Sequence, residues 1–264
     1  MKYCVAAVAM LLALTGATSQ PSRDEPPTYA CGRADGTITV DGALDDAAWK
    51  SAPWTEDFID IVGAQGKEPP ALRTRAKLLW DDENLYVAAE LTDPRVAATI
   101  RQRDEQLYRE QAFEVFIDPG GDGKDYLELQ INPLNTVCDL SLDKPYGDKG
   151  TANIAFNIAG LRSAVRVKGT VNEPSNVDEG WTVELAIPWA AVKALSADTV
   201  APPGRGERWR VNLARMRAPE PVQGVKGTIR RDMSVWAAQG AVNMHLPERW
   251  GWVEFATASA KYSN

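Results

Sequence analysis

Two short runs of residues, 113–118 and 126–132, alternate with the two-residue period of a β-strand. Successive side chains of a strand point to opposite faces, so one face of this predicted hairpin is apolar. That face comprises Phe113, Val115, Ile117, Leu127, Leu129 and Ile131. The residues between the runs, 119–125, are rich in glycine and aspartate, as expected of a loop. An apolar wall of this kind must pack against a second layer, which indicates a layered β structure.

The rest of the chain continues the pattern of short strands. Residues 74–80 and 85–91 form a second predicted hairpin around the turn 81–84. Further strands are predicted at 37–40, 164–171, 181–187, 209–214 and 252–255, and short helical turns at 45–51 and 189–195. The sequence contains no long amphipathic helix and no internal repeat. We therefore expect a single-domain, all-β protein, an antiparallel β-sandwich of jelly-roll or immunoglobulin-like two-sheet type with a few short helical turns.

The N-terminal residues have the pattern of an export signal. Lys2 precedes an apolar run at 3–14, and small residues follow at 15–19. This run is too short to span a bilayer, which needs about twenty apolar residues. We predict a signal peptide at 1–19 and a secreted or periplasmic protein without a membrane span. The remaining predicted boundaries are a Pro-rich lead-in at 20–28, the β domain at 29–256 and a C-terminal tail at 257–264.

Composition excludes several classes of function. The net charge is −7, whereas nucleic-acid-binding modules usually carry a basic face, so no nucleic-acid partner is expected. The chain has one histidine, which argues against a multi-histidine metal site and against a Ser-His-Asp triad. Removal of the signal peptide would leave two cysteines, Cys31 and Cys138. In an oxidising compartment these either form a disulfide or remain buried thiols.

The second face of the first hairpin is polar. It carries Glu114, Phe116, Asp118, Tyr126, Glu128, Gln130 and Asn132. Carboxylates accept hydrogen bonds, and amides both donate and accept them, which suits the neighbouring hydroxyls of a sugar ring. The alternative interpretation is a solvated outer face, which is common in antiparallel sheets.

Several segments resemble the carbohydrate-binding module family 9 in their order and spacing. They are ITVDGALDDAAW at 38–49, WDDENLYV at 80–87, FEVFID at 113–118, GWTVELAIPW at 180–189 and HLPERWG at 245–251. The resemblance covers most of the chain from residue 29 to 255 and is nearest to secreted, stand-alone members. It implies a β-sandwich that binds a poly- or oligosaccharide without catalysis and supports carbohydrate catabolism. In this family a sugar ring is clamped between aromatic side chains.

The resemblance also implies which residues bind the ligand. Tyr108 occupies the position of a stacking aromatic, and Glu114 that of a carboxylate bonded to sugar hydroxyls. The polar pair on the partner strand corresponds to positions 130 and 132, with glutamine where the family has arginine. The position of the second aromatic holds Met244, so a tryptophan slightly upstream is an alternative surface. The predicted ligand-binding residues are Tyr108, Glu114, Gln130, Asn132 and Trp236.

Partners and a metal follow from the same resemblance. A glycan ligand is expected, with separate glycoside hydrolases as partner enzymes. Glu114 and Glu128 lie on paired strands, so hydrolysis by the chain itself is the alternative to a non-enzymatic role. Asp118, Asp122 and Asp125 present carboxylates among glycines and are the candidate ligands of a structural Ca²⁺, although such residues also form ordinary turns.

Two further functions are left open by the residues. Relatives of this sandwich bind a b-type haem through methionine with histidine or lysine, for electron transfer. Here the candidate haem ligands are Met216, Met233, Met244 and His245. The other alternative is a structural protein of the cell envelope or surface that has no sugar ligand.

Overall fold

A computed structural model of the protein describes residues 25–63, 70, 72–217 and 232–256. The predicted signal peptide at 1–19, most of the lead-in and the tail at 257–264 lie outside the described residues. Among the residues that are described, no helix is long and apolar enough to cross a membrane.

The described chain is nearly all β-structure, as the sequence predicts. The strands are β1 (Thr28–Arg33), β2 (Ile59–Asp60), β3 (Thr74–Trp80), β4 (Asn84–Thr92), β5 (Ala112–Asp118), β6 (Tyr126–Ile131), β7 (Val137–Leu142), β8 (Ala152–Asn153), β9 (Arg162–Lys168), β10 (Gly180–Pro188), β11 (Arg208–Arg217), β12 (Asp232–Val235) and β13 (Gly251–Phe255). The one α-helix among the described elements is α1 (Trp189–Lys193), and short 3₁₀ turns lie at Ala47–Lys50, Leu107–Arg109, Tyr146–Asp148 and Pro247–Arg249. Both predicted hairpins and both predicted helical turns are confirmed.

The strands form one curled, mixed sheet, in which eleven strands follow the order β8-β7-β6-β5-β11-β13-β1-β3-β4-β10-β9. The short strand β12 also pairs with β11, and β2 pairs with β12. The expectation of a purely antiparallel arrangement is wrong at β1. Its first half, Thr28–Cys31, pairs in parallel with β13, and its second half, Gly32 and Arg33, pairs in parallel with β3. One strand therefore joins the two halves of the sheet. Parallel neighbours need a long connection, so a search for hairpins along the sequence does not find them.

The main hydrophobic core lies between the two halves of the sheet. Val115 and Leu129 from one half pack in the same cluster as Val87 and Leu185 from the other. All six side chains of the predicted apolar wall belong to this cluster. One part of this core consists of aromatic rings in edge-to-face contact. The ring centroids of Phe255 and Trp209, for example, are 5.0 Å apart.

Residues 37–40, predicted as a strand, are irregular in the structure. Within this segment the N–H of Thr39 donates to Asp46 Oδ2 (2.7 Å), and the residues that follow it are held by a buried carboxylate on β10. Glu184 accepts hydrogen bonds from the backbone N–H groups of Asp41 (3.0 Å) and Gly42 (2.9 Å) and from Trp49 Nε1 (2.7 Å). Side-chain carboxylates thus accept the backbone N–H groups of Thr39, Asp41 and Gly42, and the segment lies against the sheet without a strand partner. Ile38 and Trp49 pack in a small second cluster there.

The two cysteines are free thiols and both are buried. Cys31 on β1 lies in the main core, whereas Cys138 lies on β7 on the other side of the sheet. Of the two interpretations left open by the sequence, the structure therefore supports buried thiols.

A buried ion pair ties the two halves of the sheet together. Asp93, which follows β4, has a fully buried carboxylate. It accepts hydrogen bonds from Arg215 Nη2 (2.5 Å) and Arg217 Nε (3.1 Å), both on β11. Arg215 also donates to the carbonyl of Thr92 (2.7 Å). The two guanidinium groups thus lie on the face of β11 that turns away from the polar face of β5 and β6.

Candidate functional site

A cleft of about 540 Å³ opens over the polar face of β5 and β6. We call it the β5–β6 cleft. Its floor contains Glu114, Phe116, Glu128 and Gln130, and its walls come from the 3₁₀ turn at 107–109, the turn after β7 and the segment between β12 and β13. The sheet register places Glu114 opposite Gln130 and Phe116 opposite Glu128. The alternation of side chains between the two faces of β5 and β6, which the sequence predicts, therefore determines which residues form the floor.

The polar face is not the solvated outer face that was the alternative interpretation. Glu114 is 2% exposed and Gln130 is 3% exposed. Part of the cover is the segment before β13, where Trp250 packs its ring against Phe116 (5.5 Å between centroids) and Tyr126 (5.2 Å). Polar groups that are buried at the bottom of a cleft need hydrogen-bond partners, which makes them strong anchors for a polar ligand.

Gln130 connects the floor of the cleft to one wall. Its Oε1 accepts a hydrogen bond from the backbone N–H of Tyr108 (3.1 Å), and its Nε2 donates to Glu128 Oε1 (2.5 Å). Tyr108 is half-buried, and its hydroxyl donates to Gln106 Oε1 (3.1 Å). The structure thus brings three of the predicted ligand-binding residues, Tyr108, Glu114 and Gln130, to one cleft.

Tyr146 forms part of the cleft and is missed by the sequence analysis. It lies in the 3₁₀ turn after β7 and is 49% exposed, with its ring against His245 at 4.6 Å between centroids. Nothing in a turn such as Pro145-Tyr146-Gly147 indicates where the ring will lie, because its position depends on how β7 pairs with β6. The cleft therefore has one exposed aromatic ring, Tyr146, in addition to the half-buried ring of Tyr108.

His245 and Glu128 meet at the bottom of the cleft. The His245 Nδ1 atom is 2.9 Å from the Tyr126 hydroxyl, and Nε2 is 3.8 Å from Glu128 Oε2. Burial lowers the pKa of His245 to about 4, so the imidazole is neutral at neutral pH. Burial raises the pKa of Glu128 to about 7, although the hydrogen bond from Gln130 favours the charged form.

The raised pKa of Glu128 predicts a pH-dependent effect on stability. The folded protein keeps the proton on Glu128 to higher pH than the unfolded chain, so this group lowers stability as the pH rises from the ordinary pKa toward the folded value. Glu128→Gln is therefore expected to stabilise the protein by roughly 2–3 kcal/mol at about pH 8 and to have no such effect at about pH 4. Denaturant unfolding at both pH values measures the difference. The exposed Glu248→Gln is the control, and a gain at Glu128 that is equal at both pH values would contradict the pKa assignment.

The side-chain amide of Asn132 is engaged by hydrogen bonds with the backbone and with Glu110. Its Nδ2 donates to the carbonyl of Ile100 (2.8 Å) and to Glu110 Oε1 (2.9 Å). Its Oδ1 accepts from the N–H groups of Leu134 (3.0 Å) and Thr136 (2.9 Å). The side chain thus holds the turn between β6 and β7 and is not brought to the cleft.

Trp236 is likewise not brought to the cleft. Its backbone N–H donates to the carbonyl of Leu213 (2.9 Å), and its side chain is turned into the main core. The ring meets Tyr29 edge to face at 6.4 Å between centroids.

The residues of the candidate calcium loop do not fit a calcium site. Both carboxylate oxygens of Asp118 accept backbone N–H bonds, from Gly121 (2.8 Å) and Gly123 (2.8 Å). Asp122 Oδ1 accepts the N–H of Lys124 (3.0 Å). The side chain of Asp125 does not form a metal-binding group with Asp118 and Asp122. Within the ranges that the structure describes, no group of three or more His, Cys, Asp or Glu residues is arranged to hold a metal. The aspartates act as turn-forming residues, the alternative raised by the sequence.

The candidate haem ligands gather at one place. Met216, Met233, Met244 and His245 all line the β5–β6 cleft. Thioether sulfur and imidazole nitrogen are both suitable axial ligands for haem iron. However, His245 Nδ1 is engaged by Tyr126, so Nε2 is the nitrogen left for a ligand.

Comparison with protein families gives a match over residues 40–257. The matching model is described as carbohydrate family 9 binding domain-like.

Curated relatives match part of the chain. Exoglucanase XynX of Acetivibrio thermocellus is 26% identical over 165 residues, which are 62% of this chain and 13% of that protein. Endo-1,4-beta-xylanase A of Thermoanaerobacterium saccharolyticum is 28% identical over 157 residues, which are 60% of this chain and 11% of that protein. The matched region is therefore a small part of each of these longer proteins.

Solved structures share the fold. A candidate carbohydrate-binding protein from Bacteroides uniformis superposes with a TM-score of 0.64 at 12% identity, covering 88% of this chain and 100% of that one. A carbohydrate binding module family 9 from Caldicellulosiruptor kristjanssonii, in complex with cellotriose, superposes with a TM-score of 0.57 at 17% identity, covering 90% of this chain and 97% of that one.

Proposed function

The chain belongs to the carbohydrate family 9 binding domain-like family, and we propose that it is a non-catalytic carbohydrate-binding protein whose ligand occupies the β5–β6 cleft. The observation that carries this proposal is the combination of two exposed or half-buried tyrosine rings with a buried polar floor in a cleft of about 540 Å³. Aromatic rings cover the C–H face of a pyranose, while the hydroxyl groups at its edge bind polar side chains. Modules similar in fold bind cellotriose and glucose, which supports the same ligand class.

The roles of the residues follow from their positions. Tyr108 and Tyr146 provide the stacking surfaces. Tyr146 is thus the second stacking residue, in place of Trp236. Glu114 and Gln130 bind sugar hydroxyls from the floor of the cleft. Because Gln130 is held by Tyr108 on one side and Glu128 on the other, its amide is oriented before the sugar arrives.

The wider biological setting belongs to the same proposal. An export signal at 1–19 would deliver the protein outside the cytoplasm, where polysaccharides are found, and separate glycoside hydrolases would use the sugar it holds. The matches to longer xylan- and glucan-degrading proteins support this association. The core shared by the two halves of the curled sheet supports its description as a β-sandwich.

Removal of the Tyr146 ring tests the proposal. Tyr146→Ala is expected to weaken binding by about 1–2 kcal/mol, roughly five- to thirtyfold, because the stacking surface is lost while the floor remains. Titration calorimetry against a panel of oligosaccharides that includes cellotriose measures the change. Tyr146→Phe keeps the ring and should retain most of the affinity. Val177→Ala, at an exposed position outside the cleft, should change nothing. Equal affinities of the Tyr146→Ala and wild-type proteins would contradict the assigned site.

A second candidate function is favoured by the three methionines and the histidine in the same cleft. A b-type haem held there by His245 and one methionine would supply one-electron transfer. An absorption spectrum of the purified protein distinguishes the two candidates. A colourless protein that binds oligosaccharides would contradict the haem interpretation, whereas a haem spectrum without sugar binding would replace the carbohydrate proposal. A folded protein with neither property would favour the structural role in the cell envelope.

A further inference from the structure

We propose that the β5–β6 cleft binds glycans that carry O-acetyl groups more tightly than the same glycans with all their hydroxyl groups free. This inference rests on the proposed function, since it names the ligand class of the same cleft. Two features of the cleft support it: one half of the floor is apolar, and exposed apolar side chains surround the opening.

The floor of the cleft changes from polar to apolar across the sheet. On β5 and β6, Glu114 and Gln130 lie opposite each other and face the cleft. The next strand, β11, places Met216 opposite Ala112 of β5, and β12 places Met233 opposite Met216. Ala112 and Glu114 are two residues apart and share a face of β5, so the two methionines continue that face. The floor therefore has a polar half on β5 and β6 and an apolar half on β11 and β12.

The apolar half of the floor offers little to a sugar hydroxyl. Met216 is 5% exposed and belongs to the same cluster as Cys138, against which Tyr108 and Met233 also pack. Thioether sulfur is only a weak hydrogen-bond acceptor, and a hydroxyl group buried there would lose its bonds to water without gaining strong ones. Methionine side chains are flexible, however, and adapt their shape to a small apolar group. The apolar half is therefore suited to a methyl group.

Exposed apolar side chains surround the opening of the cleft. Five large hydrophobic side chains of the described residues are exposed, and three of them, Tyr146, Ile154 and Val242, line this cleft. Ile154 follows β8 and is 71% exposed, whereas Val242 lies between β12 and β13 and is 69% exposed. The two walls meet where the ring of Tyr146 contacts that of His245, at 4.6 Å between centroids. Exposed apolar side chains that gather at a cleft indicate a binding surface.

An acetylated glycan matches both halves of the floor. Its free hydroxyl groups form hydrogen bonds with the polar half, as in the proposed function. Acetylation replaces the hydroxyl proton with an acyl group, so the substituted position no longer needs an acceptor and presents a methyl group instead. Burial of that methyl group against the methionines, or against Ile154 and Val242 at the opening, should raise the affinity roughly fourfold. A glycan without acetyl groups would either leave the apolar half uncovered or bury hydroxyl groups on it.

The experiment compares each acetylated sugar with its parent. Titration calorimetry is performed with cellotriose and with a set of cellotrioses that each carry one acetyl group at a defined hydroxyl. The same comparison with xylotetraose covers a pentose backbone. At least one acetylated member should bind roughly fourfold more tightly than its parent, because one methyl group is buried. The measured quantity is the ratio of the two affinities, which cancels effects that are common to both sugars.

Variants of the apolar side chains locate the preference. Met233→Gln replaces a half-buried thioether with an amide of similar length and should bring the ratio close to one, whereas Met233→Leu should keep it. The double variant Ile154→Thr, Val242→Thr changes only exposed positions at the opening and should lower the ratio. Its matched control is Val177→Thr, Val200→Thr, at exposed positions outside the cleft, and it should keep the ratio of the wild-type protein.

The outcomes separate this inference from the proposed function. If no acetylated member of either set binds more tightly than its parent, the acetyl preference is overturned and carbohydrate binding remains intact. Folded protein that binds neither these sugars nor any other glycan of a broad array would overturn the proposed function itself. If Met233→Gln fails to fold, the double variant at the opening provides the second test. An unchanged ratio in both the Ile154→Thr, Val242→Thr protein and its control would overturn the assignment to this cleft.

Discussion

Replacing Asp93 with alanine should lower the free energy of unfolding by about 3–5 kcal/mol, the largest effect that we expect from a single charge. The carboxylate is completely buried and holds Arg215, which is itself 1% exposed. Without Asp93, the guanidinium of Arg215 would lose its anionic partner in a place that water does not reach. The variant would also remove the hydrogen bonds that join Asp93, directly after β4, to Arg215 and Arg217 on β11. Chemical denaturation by urea, followed by tryptophan fluorescence, measures the loss.

The control is an ion pair on the surface. Arg33 and Asp82 are 2.8 Å apart, but the Asp82 side chain is 81% exposed. Asp82→Ala should cost less than about 1 kcal/mol, because solvent screens such pairs. If Asp93→Ala unfolds at the same urea concentration as Asp82→Ala, the buried ion pair contributes no more to the free energy of unfolding than the exposed one does.

The second large effect is expected at Trp250, which links stability to the cleft. The side chain is fully buried, packs on Phe116 and Tyr126, and donates from Nε1 to the carbonyl of Met244 (2.9 Å). Trp250→Ala should destabilise the protein by about 3–5 kcal/mol through the cavity it leaves. It should also abolish oligosaccharide binding, since Met244 and His245 form a wall of the β5–β6 cleft.

Two variants separate these contributions. Trp250→Phe keeps an aromatic ring but loses the hydrogen bond to Met244, which should cost about 1 kcal/mol beyond the smaller ring. Trp54, a half-buried residue that stacks with Arg75 at 4.2 Å, provides a tryptophan outside the cleft. Trp54→Ala should lose less stability than Trp250→Ala and should bind sugar normally. Unaltered binding by a folded Trp250→Ala protein would show that the wall is not needed.

Local patterns allow the hairpins and the floor of the cleft to be predicted. The two-residue period of 113–118 and 126–132 assigns each side chain to a face, and the connecting loop fixes which strands pair. The sequence therefore predicts Glu114 and Gln130 on the same face of the hairpin, and the structure adds that they lie opposite each other.

Long-range contacts account for what could not be predicted. Nothing in residues 28–33 indicates that they will pair with residues 251–255, more than two hundred positions away. The cover over the polar face has the same origin, because Trp250 packs on Phe116 from the segment before β13, more than one hundred positions away in the sequence. The role of Glu184 could not be predicted either, because its hydrogen bonds to the N–H groups of Asp41 and Gly42 join residues that are more than 140 positions apart in the sequence.

The pairing of β1 with β13 also determines how the molecule responds to mechanical tension. The two strands are adjacent and run in the same direction, with Thr28 beside Trp252 and Cys31 beside Phe255. A pull on Thr28 and Phe255 in opposite directions therefore acts along the strands and loads the hydrogen bonds between them together. A hairpin pulled at its ends would instead open one bond after another. Force transmitted through the two flanks of the domain thus meets the shear resistance of the whole strand pair.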